Sequence, residues 1–208
     1  LHPNSRRQRQ MCIRDSRARH ALDMAAAGRR VLVVSSGDPG VFAMAAAVYE
    51  VLETDPARWQ DVDITVLPGI TAMLAAAARV GAPLGHAFCV INLSDNLKPW
   101  ALSEQRLQLA LQADFAMAFY NPRSKSRPEG FEKTLQILKS YGEGDRPVIF
   151  ARAVSTPDEN IMIVPLAEAQ PDMADMQTVV LVGSSQTRTL SHKAVSYTHL
   201  RAHETELD

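Results

Sequence analysis

The sequence has 208 residues, which is enough for one or two domains with a sizeable core. Its 46% apolar and 22% charged residues exclude a disordered chain, its two cysteines exclude a disulfide scaffold, and no apolar run reaches the length of a membrane span. The formal net charge of −1 conceals an uneven distribution, because residues 1–30 carry +6 and residues 31–190 carry −6.

The two ends differ in character from the rest of the chain. Residues 1–16 and 194–208 show neither the period of a strand nor the period of a helix. An Arg-rich start is also typical of an arm that binds nucleic acid, whereas the apolar run of a signal peptide is missing. We interpret residues 1–16 and 191–208 as unstructured or artefactual end segments.

The residues between the ends alternate between helical and extended patterns. In chain order, the patterns predict helix 17–28, strand 30–36, helix 41–52, strand 63–67, helix 71–80, strand 88–93, helix 102–111, strand 114–120, helix 131–141, and strands 147–152, 160–165 and 178–183. Such alternation is typical of βαβ units, so it predicts an α/β fold with a mostly parallel sheet.

A polar segment interrupts this alternation. Residues 121–130 contain two prolines, a glycine and three basic residues, and we interpret them as an exposed linker. The block that follows is shorter and richer in adjacent strands. We therefore predict an N-terminal α/β domain over residues 17–120 and a C-terminal α/β domain over residues 121–190.

Two glycine-containing loops each follow a predicted strand and open a predicted helix. Residues 35–40 read SSGDPG, and residues 67–72 read LPGITA. Open α/β sheets bind ligands at such loops, and the free N–H groups at a helix start favour a carboxylate or a phosphate. Neither a P-loop ending nor a GxGxxG pattern is present. The structural alternative is a pair of plain turns in which Asp38 and Thr71 cap the following helices.

Two further segments carry side chains that suit catalysis or substrate binding. Asp95 follows predicted strand 88–93 and is a candidate general acid or base, with a helix cap or a solvated carboxylate as the alternative. Arg123, Lys125 and Arg127 share one side of an extended segment and suit a substrate with several carboxylates, with a solvated charge run as the alternative. We expect Cys89 to pack as a small apolar residue.

Four motifs in combination resemble the tetrapyrrole methylase family. They are SSGDPGVFAMAAAV at residues 35–48, LPGITAMLAAAARVGAPLGHAFCVINLSD at residues 67–95, YNPRSKSR at residues 120–127 and VGSSQTR at residues 182–188. The resemblance covers residues 17–190. It implies a two-domain α/β enzyme, usually a cytoplasmic homodimer, that binds S-adenosylmethionine in a cleft between its domains. It implies a tetrapyrrole substrate and neither nucleic acid nor a membrane as a partner.

The resemblance also implies a reaction and the residues that carry it. Two stretches, LGHAFCVINLSD at residues 84–95 and YNPRSKSR at residues 120–127, are shared by fewer family members than PGITA is. They imply methyl transfer to C-17 of precorrin-3B with ring contraction to precorrin-4, in cobalamin biosynthesis. The alternatives are methylation of another corrin-pathway or sirohaem-pathway tetrapyrrole, and an inactive fragment that still binds. Cofactor contacts are implied at Ser36, Gly37, Asp38, Val41, Thr71, Ala72, Asn121 and Ala153. Substrate contacts are implied at Arg123, Lys125 and Arg127, with Asp95 as the acid or base and no metal site.

The sequence departs from the family pattern at both ends. Family members begin with a strand and a GxGPGD loop, and residues 1–30 contain neither. We also expect the end of the second domain to be missing after Leu190. We therefore expect a first domain without its first strand, and a chain that folds marginally and has little activity.

Overall fold

A computed structural model of the chain describes residues 4–94, 99–123, 129–141 and 144–197. The contacts divide the chain into two compact units, Leu1–Thr71 and Ala72–Asp208. None of the helices within the described ranges is both long and apolar enough to cross a bilayer.

The first unit is built on two helices, α1 (Asn4–Ala26) and α2 (Met44–Thr54), followed by a 3-10 turn at Pro56–Trp59. Their small core contains Ala18, Leu22, Val48, Val51 and Trp59. The Trp59 indole N–H donates to Asp23 Oδ1 at 3.0 Å, so the aromatic side chain is buried with its polar atom satisfied.

Helix α1 is longer than the sequence pattern predicts. The expectation of an unstructured start is wrong for residues 4–16, which are helical. Arg, Gln and Met are good helix formers, so a helix can extend through them without an apolar stripe. The predicted end is correct, because α1 stops at Ala26 and Gly28 follows with a φ of +80°.

Two strands predicted for the first unit are not formed. Residues 30–36 and 63–67 are irregular, and Leu32 and Val34 are 79% and 81% exposed. A strand exists only when a neighbour completes its hydrogen-bond ladder, and among the described residues neither segment pairs with a strand. Both segments are apolar, as the pattern indicates, but among the described residues no neighbouring strand pairs with them and buries them.

The second unit contains the remaining elements. In chain order they are α3 (Ala72–Val80), β1 (Gly81–Ala82), β2 (Phe88–Asn92), α4 (Trp100–Gln112), β3 (Ala116–Tyr120), α5 (Glu129–Ser140), β4 (Pro147–Arg152), β5 (Asn160–Pro165), β6 (Thr178–Val182), β7 (Thr187–Leu190) and β8 (Lys193–Ser196). Short 3-10 turns at Leu166–Glu168 and Pro171–Met173 lie between β5 and β6. The predicted strands and helices of this part are confirmed to within a few residues.

The main sheet has five strands in the order β2-β3-β6-β4-β5. Among neighbouring strands of this sheet in the described residues, β2 and β3 form a parallel pair, and the β3–β6, β6–β4 and β4–β5 pairs are antiparallel. The expectation of a mostly parallel sheet is therefore wrong. One reason is the short connection from β4 to β5, which cannot make the crossover that a parallel pair needs. A second sheet formed by described residues has the order β1-β8-β7. Strand β8 lies within residues 191–208, so the expectation of an unstructured end is wrong for Lys193–Ser196.

The central strands β3, β6 and β4 are buried on both faces, which explains their continuous apolar runs, whereas the edge strands β2 and β5 are partly exposed. Phe119 of β3 lies in the core cluster that Leu107 of α4 and Leu135 of α5 cover. The neighbouring residue Ala118 points to the other face and packs in the cluster that contains Ala76 of α3. The sheet also joins strands from both sides of Asn121, and the predicted domain boundary at that residue stays a prediction.

The strand directions determine where the loops of the second unit meet. Strands β2 and β3 are parallel, and β4 also runs with them because both β3 and β4 are antiparallel to β6. The carboxyl ends of β2, β3 and β4 consequently lie at one edge of the sheet. This edge is called the carboxyl edge below.

Candidate functional site

In the first unit, the Asp38 side chain joins the two glycine-containing loops. Its Oδ1 accepts the Gly40 N–H at 2.7 Å, and its Oδ2 accepts the Gly69 N–H at 3.1 Å. The predicted alternative of Asp38 as a helix cap is wrong, because α2 begins only at Met44 and its N-cap Ala43 makes no side-chain bond. The two glycine-containing loops therefore lie side by side.

Glycines allow this close approach of two backbones. A Cβ atom on Gly69 would lie 2.2 Å from the carbonyl oxygen of Gly37, which is an impossible contact. Gly37 itself has a φ of +73°, a backbone conformation that residues with a side chain rarely adopt. Glycine therefore specifies the conformation of both loops, and the side chains of Leu67 and Ile70 in the second loop are exposed.

Hydrogen bonding sets the protonation state of Asp38. The N–H groups of Gly69 and, second, of Gly40 hold the pKa of this carboxyl below its ordinary value of 3.8. Asp38 is therefore ionised at neutral pH and keeps both loops in place. Exposed Ser36, partly buried Val41 and buried Thr71 lie along the same two loops, where the resemblance puts cofactor contacts.

In the second unit, two predicted cofactor residues lie at the carboxyl edge. Asn121 follows β3 directly with a φ of +52°, and Ala153 follows β4 directly with a φ of +48°. Positive φ values are uncommon for residues other than glycine, and such strained positions cluster at functional sites. The two residues share one edge of the sheet although they are distant in sequence.

The predicted residue Ala72 begins α3 at the same edge. The N–H of Met73, the next residue of α3, donates to the Tyr120 hydroxyl oxygen at 3.0 Å. Tyr120 is the last residue of β3, so this bond ties the start of α3 to the carboxyl edge. The sequence reasoning quoted Tyr120 within a motif but did not assign it this supporting role.

Asn92, the last residue of β2, is a second residue that the sequence reasoning missed. Its Oδ1 accepts the backbone N–H of Ser94 at 2.9 Å and the side-chain Nδ2 of Asn121 at 3.1 Å. The ladder continues one residue beyond the strands, because the Leu93 N–H donates to the Tyr120 carbonyl oxygen at 2.9 Å. The available signal was a polar residue at the end of a predicted strand.

The turn at Ala153 is held from the start of β6. The Ala153 N–H donates to the Gln177 carbonyl oxygen at 3.0 Å. Arg152 pairs with Asp175 Oδ2 at 2.9 Å and donates to Gln177 Oε1 at 2.6 Å. These three supporting residues come from segments that no sequence motif marked, so only the fold could reveal them.

Three of the predicted site residues lie outside the described residues, namely Asp95, Lys125 and Arg127. Their roles stay predictions. Arg123 ends the described range 99–123 and is partly buried.

Cys89 packs against the main core as expected, and burial raises the pKa of its thiol, which therefore stays protonated at neutral pH. Within the described ranges, no group of three or more His, Cys, Asp and Glu side chains could hold a metal ion.

The polar motif at residues 182–188 lies at the opposite edge of the sheet. Ser185, which follows β6, donates its N–H to Asp114 Oδ1 at 2.9 Å. The same oxygen accepts from Arg146 Nη2 at 3.1 Å. Asp114 and Arg146 precede β3 and β4, so this motif fixes the amino ends of those strands and is remote from Asn121.

The sequence pattern of the family described as Tetrapyrrole (Corrin/Porphyrin) Methylases matches residues 2–170. The chain belongs to the tetrapyrrole methylase family. A Precorrin-3B C(17)-methyltransferase from Sinorhizobium sp is 55% identical to this tetrapyrrole methylase over 172 residues, which are 83% of this chain and 68% of that protein. The family and the enzyme class predicted from the sequence are thereby confirmed.

Solved structures share the fold of this tetrapyrrole methylase. The crystal structure of the methyltransferase CobJ is 59% identical with a TM-score of 0.85, over 88% of this chain and 77% of that one. The uroporphyrin-III C-methyl transferase of Thermus thermophilus, complexed with S-adenyl homocysteine, is 18% identical with a TM-score of 0.57, over 80% of this chain and 71% of that one. The predicted α/β fold class of two-domain tetrapyrrole methylases is confirmed.

Proposed function

We propose that this tetrapyrrole methylase transfers a methyl group from S-adenosylmethionine to C-17 of precorrin-3B and contracts the ring to precorrin-4, in cobalamin biosynthesis. The observation that carries the proposal is the 55% identity to a precorrin-3B C(17)-methyltransferase over 83% of the chain. The complex of the Thermus thermophilus enzyme with S-adenyl homocysteine supports the choice of cofactor.

The residues of the glycine-containing loops fit S-adenosylmethionine chemically. This cofactor carries a carboxylate, an ammonium group, two ribose hydroxyls and an adenine, so it needs both donors and acceptors. The glycines let the backbone of both loops come close to a ligand, and exposed Ser36 adds a hydroxyl group, although the Gly40 and Gly69 N–H groups are already bonded to Asp38. Ionised Asp38 holds these loops in a fixed arrangement. We assign Ser36, Gly37, Asp38, Val41 and Thr71 of the first unit to the cofactor.

In the second unit, the carboxyl edge supplies the other cofactor residues of the proposal. Asn121 and Ala153 are held in left-handed conformations by neighbouring hydrogen bonds, and Ala72 is fixed through the bond from Met73 to Tyr120. Positions that are rigid before binding lose little entropy when a ligand is bound. These three residues are therefore suited to orient a cofactor.

Methyl transfer asks mainly for alignment of the reactants. The bound cofactor supplies an already activated methyl group on its sulfonium. The protein contributes by positioning the two reactants and excluding water. Arg123, Lys125 and Arg127 are assigned to the acetate and propionate side chains of the substrate, because guanidinium groups bind carboxylates bidentately. The Asp95 carboxylate is assigned the proton transfers of the ring contraction.

The remaining parts of the proposal concern the setting of the enzyme. We assign the protein to the cytoplasm, as a homodimer that acts on a small-molecule tetrapyrrole without nucleic acid or a membrane as a partner. Sedimentation equilibrium of the purified chain tests the homodimer. A mass of two chains supports it, and a mass of one chain contradicts it.

Transfer of a labelled methyl group tests the activity. The chain is incubated with S-adenosylmethionine that carries a radioactive methyl group, and with precorrin-3B or uroporphyrinogen III as the acceptor. We expect a small but measurable amount of label in the precorrin-3B product, in line with the low activity expected from the sequence, and none in uroporphyrinogen III. Labelling of uroporphyrinogen III instead would assign the protein to another step of tetrapyrrole methylation. Absence of label in both would contradict the proposed activity.

A further inference from the structure

We propose that Asn92 is a positioning residue, which fixes the side-chain amide of Asn121 so that Asn121 Oδ1 faces the ligand and accepts a hydrogen bond from an N–H donor of the cofactor. This inference rests on the proposed function, because it takes S-adenosylmethionine as the ligand. It goes beyond that function by assigning a role to Asn92 and a direction to the Asn121 amide.

The orientation of the Asn92 amide follows from the Ser94 backbone. A backbone N–H can only donate, and that of Ser94 points to the Asn92 side chain at 2.9 Å. The atom that receives it must be an acceptor, so it is Oδ1 and not Nδ2. The amide of Asn92 is thereby fixed without reference to any ligand.

The orientation of the Asn121 amide follows in turn. The same Oδ1 of Asn92 contacts the side chain of Asn121 at 3.1 Å. Because an acceptor needs a donor, Asn121 contributes Nδ2, and its own Oδ1 points away from Asn92. The two residues lie at the ends of paired strands, with Asn92 in register with Tyr120, so the bond connects rigid positions.

The Oδ1 atom of Asn121, which points away from Asn92, can accept a hydrogen bond from a ligand. Among the residues that the structure describes, Asn121 Oδ1 accepts no hydrogen bond, and Asn121 is only partly exposed. A partly buried amide oxygen gains when a ligand donates to it. Asn121 has a φ of +52°, a left-handed conformation that asparagine tolerates better than most other residues.

The cofactor carries two kinds of N–H donor that fit this oxygen. One is the exocyclic amino group of adenine, and the other is the ammonium group of the amino-acid portion. Binding measurements with analogues separate them. S-inosylhomocysteine has an oxo group in place of the adenine amino group, and methylthioadenosine lacks the ammonium group but keeps the adenine.

The test compares three forms of the full chain by isothermal titration calorimetry, namely wild type, Asn92→Leu and Asn92→Asp. Leucine has a similar shape but cannot accept a hydrogen bond. Aspartate keeps an oxygen that accepts from both Ser94 and Asn121. We expect Asn92→Leu to bind S-adenosylhomocysteine about tenfold more weakly, the effect of one hydrogen bond, and Asn92→Asp to bind it like wild type. Asn92→Ala replaces Asn92→Leu if the leucine variant does not fold.

The analogues identify the donor. If adenine donates, wild type prefers S-adenosylhomocysteine over S-inosylhomocysteine by about tenfold, and Asn92→Leu reduces that preference toward one. If the ammonium group donates, Asn92→Leu weakens S-adenosylhomocysteine but leaves the affinity for methylthioadenosine unchanged. Either result supports the inference. A general structural role would lower stability without changing these ratios.

Equal S-adenosylhomocysteine affinity in wild type and Asn92→Leu would overturn the inference, and so would an equal loss in Asn92→Leu and Asn92→Asp. Both would leave the proposed function intact, because the wild type still binds the cofactor product. Absence of S-adenosylhomocysteine binding to the wild type would overturn the proposed function and this inference together.

Discussion

Asp38 is the side chain on which the arrangement of the glycine-containing loops depends. Its two oxygens accept from Gly40 and Gly69, and these bonds lower its pKa. The carboxylate therefore fixes two stretches of backbone, which the proposed function assigns to the cofactor. The sequence predicted the importance of Asp38, but its partner Gly69 is 31 residues away and could be identified only from the fold.

Asp38→Asn should make the free energy of unfolding depend less on pH in the acidic range. Because folding lowers the pKa of Asp38, its contribution is fully present above the ordinary value of 3.8 and is lost as the pH falls through the lower folded-state value. Asparagine never carries that charge. The free energy of unfolding should therefore differ most between wild type and variant at neutral pH, and the difference should narrow below pH 3.8.

Urea denaturation over a pH series measures this difference. Asp61→Asn, at an exposed carboxylate of the same unit, is the matched control and should follow the wild-type curve. A constant difference between wild type and Asp38→Asn at all pH values would show that the charge of Asp38 does not stabilise the loops.

Tyr120 has a comparable role at the carboxyl edge. Tyr120→Phe removes the oxygen that accepts the Met73 N–H, so it leaves a donor at the start of α3 unpaired. We expect the free energy of unfolding to fall by about 1 kcal/mol, as for one lost hydrogen bond. Chemical denaturation checks this value, with Tyr141→Phe at an exposed position as the control. Equal stability of the two variants would refute the supporting role of Tyr120.

The contact between the two glycine-containing loops makes a prediction about packing. Gly69→Ala would put a methyl group 2.2 Å from the Gly37 carbonyl oxygen, so the loops must separate. Overpacking of this kind costs about 1–3 kcal/mol, and we expect the free energy of unfolding to fall by that amount together with the affinity for S-adenosylhomocysteine. Denaturation and calorimetry measure the two effects.

Gly130→Ala is the matched control for this substitution. A Cβ atom there would make only an ordinary contact with Trp100, at 3.9 Å, within helix α5. Alanine in a helix is favoured over glycine, so stability should stay the same or rise. Unchanged stability and cofactor affinity in Gly69→Ala would mean that the two loops are not in contact.

Helices and strands differ in how far the sequence predicts them. Helix α5 and strand β4 were predicted within about two residues, because their periodicity is local. Residues 30–36 and 63–67 have equally clear strand patterns but form no strand, since a strand also needs a partner. The antiparallel insertion of β6 between β3 and β4 depends on contacts distant in sequence, which no local pattern encodes.

The sequence predicts candidate site residues that lie in local motifs. It does not predict which residues from distant parts of the chain hold them in place. Asn121 and Ala153 were assigned by resemblance, and the fold puts both at one edge with the same left-handed backbone. Arg152 and Gln177 hold Ala153 but carry no motif of their own, and Asn92, which holds Asn121, lies in the motif at residues 67–95 without an assigned role. Their roles follow from the register of the sheet and from the turn before β6.

The charge of the whole chain bears on substrate capture. Residues 31–190 carry a net charge of −6, which would repel a substrate with many carboxylates unless positive charge is concentrated locally. Arg123→Gln should therefore raise KM for precorrin-3B several-fold while kcat changes little, because a binding contact is lost. Steady-state kinetics at low ionic strength gives both values.

Arg106→Gln provides the control for charge alone. Arg106 is exposed on α4, so this substitution makes the same change in net charge at another part of the surface. Its KM should stay near the wild-type value, because the local field governs capture more than the total charge. An equal rise of KM in both variants would assign the effect to net charge and remove Arg123 from the substrate site.

The position of the transferred methyl group tests the central claim most directly. The chain is incubated with precorrin-3B and with S-adenosylmethionine whose methyl group is enriched in carbon-13, and the product is studied by NMR. We predict a single enriched methyl group bonded to C-17 of a ring-contracted product. Enrichment at another carbon, or an unlabelled macrocycle from a chain that binds S-adenosylhomocysteine, would contradict the account.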